Sequence, residues 1–247
     1  MGYKILLILF YLILYPILFS LFGAGCMELA GSAELFKPLL IGIGAGSVFY
    51  FFILRRFYVI QTFEHELTHG IFALLLGGKI TGFVVTRHDG GYCEYRDVKF
   101  GRVGKDLVGF APYILPTFTL FSTLFFPLIP HRFQFYYLIW IGFTFAYHTI
   151  STLEETKQSF NNRTFRMAGT GEETKSDLGR RGLFYSALSI VAFTLFFHLL
   201  ILVIITHGYG GFPGLFGELW QGITHTSLLV YDFVRGLIVS LIQRIKQ

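Results

Sequence analysis

Tyr58-Val59-Ile60-Gln61-Thr62-Phe63-Glu64-His65-Glu66-Leu67-Thr68-His69-Gly70-Ile71-Phe72-Ala73-Leu74-Leu75-Leu76 sets two histidines four residues apart in an otherwise apolar run. On a helix, residues four apart share one face, a turn from each other. His65 and His69 can therefore offer two imidazole nitrogens to one metal ion. Glu66 points about 100° away from His65, at about 3.6 residues per turn. It stands beside such a metal without filling a ligand position, where a carboxylate can take a proton from water. HExxH hydrolases need this spacing. On a soluble helix the same residues could be no more than a solvated face. Here the flanks Tyr58-Val59-Ile60 and Ile71 to Leu76 are apolar, and ionisable groups at membrane depth are costly and usually functional. Gln61 and Glu64 share the polar face and read as water-contacting or supporting groups.

The rest of the chain supplies that membrane setting. Of 247 residues, 53% are hydrophobic, 19% aromatic and only 14% charged. A soluble domain of this length needs more polar surface, whereas thirty Phe and fourteen Tyr suit lipid contact and the membrane interfaces. The net charge of +5 is scattered, so no basic face for nucleic acid is expected. Cys26 and Cys93 form no CxxC pair and do not fix a redox compartment.

The fold class expected is an all-α polytopic membrane protein of about five to six helices, since a span needs roughly 20 apolar residues. Candidate spans are Ile5 to Phe22, Pro38 to Leu54, the motif segment Tyr58 to Leu76, Leu107 to Leu128, Phe135 to Thr152, and Leu183 to Thr206. The first could be a signal peptide, with Lys4 before it and Gly23-Ala24-Gly25 after it. Its apolar run exceeds the usual signal core of about 7–15 residues, so a retained helix is expected. Lys79 to Phe100 reads as a β-hairpin around His88-Asp89-Gly90-Gly91, because Asp-Gly between β-formers is a turn signal. Leu153 to Arg181 is polar and reads as a loop with room for one helical turn. The tail 213–247 has a polar stripe that includes Glu218, His225, Asp232 and Lys246, which predicts an amphipathic helix in the interface or on the bundle. One domain is expected over 1–247, with a core at 58–206 and N-terminal helices at 5–57. Lys and Arg gather in the hairpin region and in 153–181, which would make that side cytoplasmic. Arg55 and Arg56 then sit on the wrong side if the motif helix crosses fully.

With these residues in view, the sequence resembles the site-2 protease family of intramembrane zinc metalloproteases, in its short branch without PDZ or CBS domains. The resemblance rests on the HELTH motif, on Leu75-Leu76-Gly77-Gly78-Lys79-Ile80 leading into a hairpin, on Gly109-Phe110-Ala111-Pro112, and on a polar segment with Asp177 before a long final span. It covers roughly residues 58 to 206. It implies one catalytic Zn2+ on His65 and His69, with Glu66 as general base. The best-known members take a third ligand from a later Asp-Gly pair. The only Asp-Gly here, Asp89-Gly90, falls at the hairpin tip, where a turn role is expected. Asp177 resembles the ligand aspartate of the short branch. His148, Glu154 and Glu155 are chemically suitable alternatives, because a catalytic zinc takes three protein ligands and water.

The expected activity is endopeptidase hydrolysis of a membrane-protein or peptide substrate within the lipid bilayer, with a locally unwound segment adding to the hairpin edge. The competing reading is a non-proteolytic membrane scaffold or regulator that keeps the fold. A transporter would spread ionisable residues over several spans, whereas here they concentrate on one helix.

Overall fold

The computed structural model describes residues 2–86, 90–161, 164–166, 173–175, 178 and 181–245. Eight α-helices run through them: α1 Gly2–Gly31, α2 Ala33–Phe52, α3 Tyr58–Leu75, α4 Gly101–Ile114, α5 Thr117–Phe125, α6 His131–Asn161, α7 Leu183–His207 and α8 Phe212–Ile245. Two antiparallel hairpins join them, β1 Lys79–Val85 with β2 Gly91–Arg96, and β3 Thr164–Arg166 with β4 Glu173–Lys175. The first spans the expected hairpin region, and its turn closes through Thr86 N–H donating to Gly90 O at 2.9 Å. Gly90 takes φ +78° there, a conformation that favours glycine.

Two helix pairs form the frame. In α2, a Cβ at Gly42 or Gly46 would fall within 3 Å of the Ile139 or Phe143 backbone, and one at Gly142 of α6 would strike Leu39 O. Small residues on both sides let the two backbones touch, the usual route to helix association in lipid. Further along, Tyr50 meets Tyr147, with ring centroids 6.1 Å apart. Contacts thus advance together along both helices, so α2 and α6 run parallel. α1 and α7 pair likewise: Tyr11 packs edge-on against Phe193, Gly25 lies against Leu202, and His207 Nε2 sits 3.1 Å from a Glu28 carboxylate oxygen. Buried Tyr11, Leu18, Phe110, Tyr113, Leu178 and Tyr185 belong to one core cluster. α8 packs on this frame through Leu215, Leu219 and Gly222, the last against Ile17.

Among the described residues three helical stretches are long and apolar enough to cross a bilayer, Gly2–Gly31, Ala33–Arg56 and Leu183–Phe233, and a bent pair makes up to a fourth. The expected five to six included α3 and α6, whose Gln61, Glu64, His65 and Glu66, and Gln134 and His148, lower their mean hydropathy.

Two segments depart from expectation. Leu107 to Leu128 is not one straight helix: Leu115 adopts an extended backbone (φ −100°, ψ 108°) before Pro116, as residues preceding proline tend to. α4 and the helical stretch from Thr117 to Leu128 meet at 79°. The polar region 153–181 is not simply a loop, since α6 continues to Asn161 and β3–β4 follow.

The parallel pairs define two ends of the bundle. At the first end, Tyr3 of α1 and Asp106 of α4 share a 2.9 Å hydrogen bond, and Arg181 before α7 pairs with the same Asp106 at 3.2 Å. The end of α2 joins α6 there, through Arg55 and Glu154 at 3.2 Å. At the other end, Phe126 packs with Ile201 and Ile205 of α7 and Leu39 of α2. The α4–α5 pair therefore carries the chain across. α3 and its hairpin start and finish at the first end, so the motif helix makes no net crossing.

Candidate metal centre

α3 turns a different chemistry to each neighbour. His65 faces α6 and α4: its Nδ1 lies 2.9 Å from Glu155 Oε2, and its ring packs edge-on against Tyr113 with centroids 5.6 Å apart. His69 faces α4, with Nδ1 2.7 Å from Val108 O. The two imidazole centroids are 4.9 Å apart. Glu66 is turned to the hairpin, as its offset from His65 requires. A Cβ at Gly91 would come within 2.9 Å of Glu66 Cγ and 2.8 Å of Thr62 Cγ2. Only a residue without a side chain lets β2 lie this close over the carboxylate. Cys93 on β2 also feels that carboxylate: burial, with Glu66 adding to it, pushes the thiol up to about 11.

The anchor of His69 has a cause in the sequence. Pro112 sits inside α4 and has no N–H to give to the carbonyl four residues back. That carbonyl belongs to Val108, and the imidazole of His69 donates to it. Because a carbonyl oxygen only accepts, the proton of His69 is on Nδ1 and the lone pair on Nε2. An ionised Glu155 imposes the same tautomer on His65. Metal-binding histidines commonly carry an Nδ1–H···O contact of this kind, so the pair fits a zinc ion as imidazole ligands.

The rest of the polar lining is only partly paired: among the described residues, Glu64 Oε1 is buried without a hydrogen-bond partner. Buried Glu64 points to α6, its Oε1 3.7 Å from His148 Nδ1, and Thr68 Oγ1 meets Thr117 Oγ1 at 2.8 Å. Among the described residues no three His, Cys, Asp or Glu side chains form a metal-ligand group. His148 is turned to Glu64 and Thr152, Glu154 to Tyr50 and Arg55, and Glu155 to His65. Asp177 lies outside the described residues. A cavity of about 210 Å³ lies among Leu54, Ile60, Phe118, Trp140, Phe143, Thr144 and Tyr147. Its lining holds none of the motif residues and no carboxylate or imidazole.

The sequence reading singled out Glu155 and His148 without seeing what joins them. His148, Ser151, Thr152, Glu155 and Ser159 recur at helical spacing and form one polar stripe on α6. The stripe meets Glu64 through His148, His65 through Glu155, and Tyr113 through Ser159, at 2.9 Å. That periodicity was the available signal. Val108 and Pro112 left no such signal, because the group that matters is a main-chain oxygen.

Long apolar helices in parallel pairs around a shallow polar helix make this a multi-pass integral membrane protein. Residues 39–154, a little under half of the chain, match the family model described as Peptidase M50B-like, a similarity to a peptidase family. The matched stretch holds most of α2, the motif helix, the first hairpin, α4, α5 and most of α6. No curated protein and no solved structure matches the chain.

Proposed function

We propose that the protein is a zinc-dependent intramembrane endopeptidase. The observation that carries this reading is the pair of Nδ1-anchored imidazoles on one face of α3, with Glu66 on the adjoining face beneath β2. His65 and His69 would hold the ion, with Asp177 as third ligand. Zinc bound there supplies Lewis acidity, which makes water nucleophilic near neutral pH. Glu66 accepts the proton of the attacking water and passes it to the departing amine. Packing of β2 over Glu66 shields its buried side chain from bulk solvent. The substrate is a membrane protein or peptide whose scissile segment has unwound, since an intact helix hides its carbonyls in hydrogen bonds.

The test separates binding from chemistry in detergent-purified protein with a transmembrane peptide reporter. Glu66→Gln should keep about one zinc per chain and lose about 10²–10⁴-fold in rate. His65→Ala, His69→Ala and Asp177→Asn should lose zinc and activity together. Wild-type protein that binds no zinc would overturn the metallopeptidase. Zinc-loaded wild type that cleaves no better than Glu66→Gln across varied membrane substrates would favour the scaffold.

A further inference from the structure

The α6 stripe meets the motif helix through two ionisable side chains, and only one of them touches a proposed ligand. His148 approaches Glu64, whereas Glu155 Oε2 lies 2.9 Å from His65 Nδ1. We infer that Glu155 is a positioning residue that fixes the tautomer and ring orientation of His65 for zinc. This rests on the reading of His65 as a metal ligand. A carboxylate on Nδ1 leaves the Nε2 lone pair to the metal and makes the imidazole a better donor. Both partners are largely buried, at 18% and 25% side-chain exposure, so water competes weakly for the contact. The Tyr113 ring fixes the imidazole from the side, and Tyr113 is itself bonded to Ser159, one turn along α6 from Glu155. α6 thereby sets the rotation of His65 about χ1 and χ2. α4 does the same for His69 through Val108. His65 makes its Nδ1 hydrogen bond to α6 and His69 to α4, so the spacing of the two nitrogens follows the packing of α6 and α4 on α3.

Two readouts on the full-length, detergent-solubilised chain test this. The first is the tautomer of His65 in metal-free protein, read by 15N–1H correlation on histidine-labelled samples and assigned with His65→Gln. Wild type should show the proton on Nδ1, and Glu155→Leu should shift toward the Nε2–H form that free imidazole favours. The second is zinc affinity by competition with a chromophoric chelator. Glu155→Leu should weaken binding about 10–100-fold, and Glu155→Gln, which is isosteric and still accepts a hydrogen bond, should weaken it less. Both should reach wild-type stoichiometry at saturating zinc. An unchanged tautomer with unchanged affinity in Glu155→Leu overturns the proposal. So does loss of zinc at saturation together with loss of an oxygen ligand by X-ray absorption, since Glu155 would then be a ligand. Wild type that fails to bind zinc would instead sink the metallopeptidase, while the metal-free tautomer would still decide the role of Glu155.

Discussion

At the scale of single residues, the site depends on groups that a list of side chains passes over. The His69 anchor is the Val108 carbonyl, left without a helical donor by Pro112. Val108→Ala keeps that carbonyl and should keep zinc affinity, although it trims a buried side chain. Pro112→Ala restores an N–H that competes for the oxygen. It should weaken zinc binding a few-fold, the size of a partly lost hydrogen bond of about 0.5–1 kcal/mol. Equal affinities in the two variants would remove Pro112 from the account. Cys93 offers a second check. Its thiol is pushed up to about 11, by burial first and by Glu66 second. Only the thiolate alkylates readily, so a Cys26→Ser protein should react slowly with iodoacetamide at pH 8 and faster as pH rises toward 11. Glu66→Gln removes one cause of the upward shift and should raise the rate at fixed pH. An unchanged rate would mean that the carboxylate does not face β2.

At the scale of elements, the hairpin is the part of the site with backbone to offer. β1 and β2 form a two-stranded sheet packed on α3, so each strand has one edge that pairs with nothing in that sheet. If an unwound substrate adds to it, proline at single positions from Val84 to Thr86 and from Tyr92 to Tyr95 should weaken cleavage while zinc is retained, because proline removes a donor. Normal cleavage in every such variant would make the hairpin structural only. Much of this element scale was legible beforehand. The motif run gave α3 to within one residue at its end, and Leu183 to Thr206 gave α7 nearly complete, because each is long and strongly patterned. The extension of α6 was not legible from hydropathy. Leu153-Glu154-Glu155-Thr156-Lys157-Gln158 is polar, but Leu, Glu, Lys and Gln are good helix formers, and polarity was read as loop. The same error hid the bond between Glu155 and His65. The α4–α5 break was hidden for the opposite reason: apolar residues run straight through Leu115-Pro116, and continuous hydropathy outweighed the break that Pro116 signals.

At the scale of the whole molecule, the two-ended frame resolves the conflict over Arg55 and Arg56. α3 and the hairpin return to the end from which they started, so these arginines share it with Lys4, Lys105 and Arg181. Lys37 near the start of α2 and Arg132 at the start of α6 sit at the other end. The positive-inside rule predicts a cytoplasmic first end. In cells expressing single-cysteine variants, an impermeant maleimide added outside should label Lys37→Cys or Arg132→Cys and spare Arg56→Cys and Lys105→Cys until the membrane is opened. The reverse pattern would invert the protein, and labelling of all four from one side would break the two-ended frame. The same pairing has a consequence for how the chain is made. α1 and α2 are synthesised before α3, α4 and α5, yet their partners α7 and α6 come only after those helices. At about 5–20 residues per second, α2 waits several seconds with Gly42 and Gly46 facing lipid or translocation machinery before α6 emerges to cover them. The first two helices are thus placed in the membrane well before they are assembled. The nascent chain remains open to rival small-residue partners until α6 is translated.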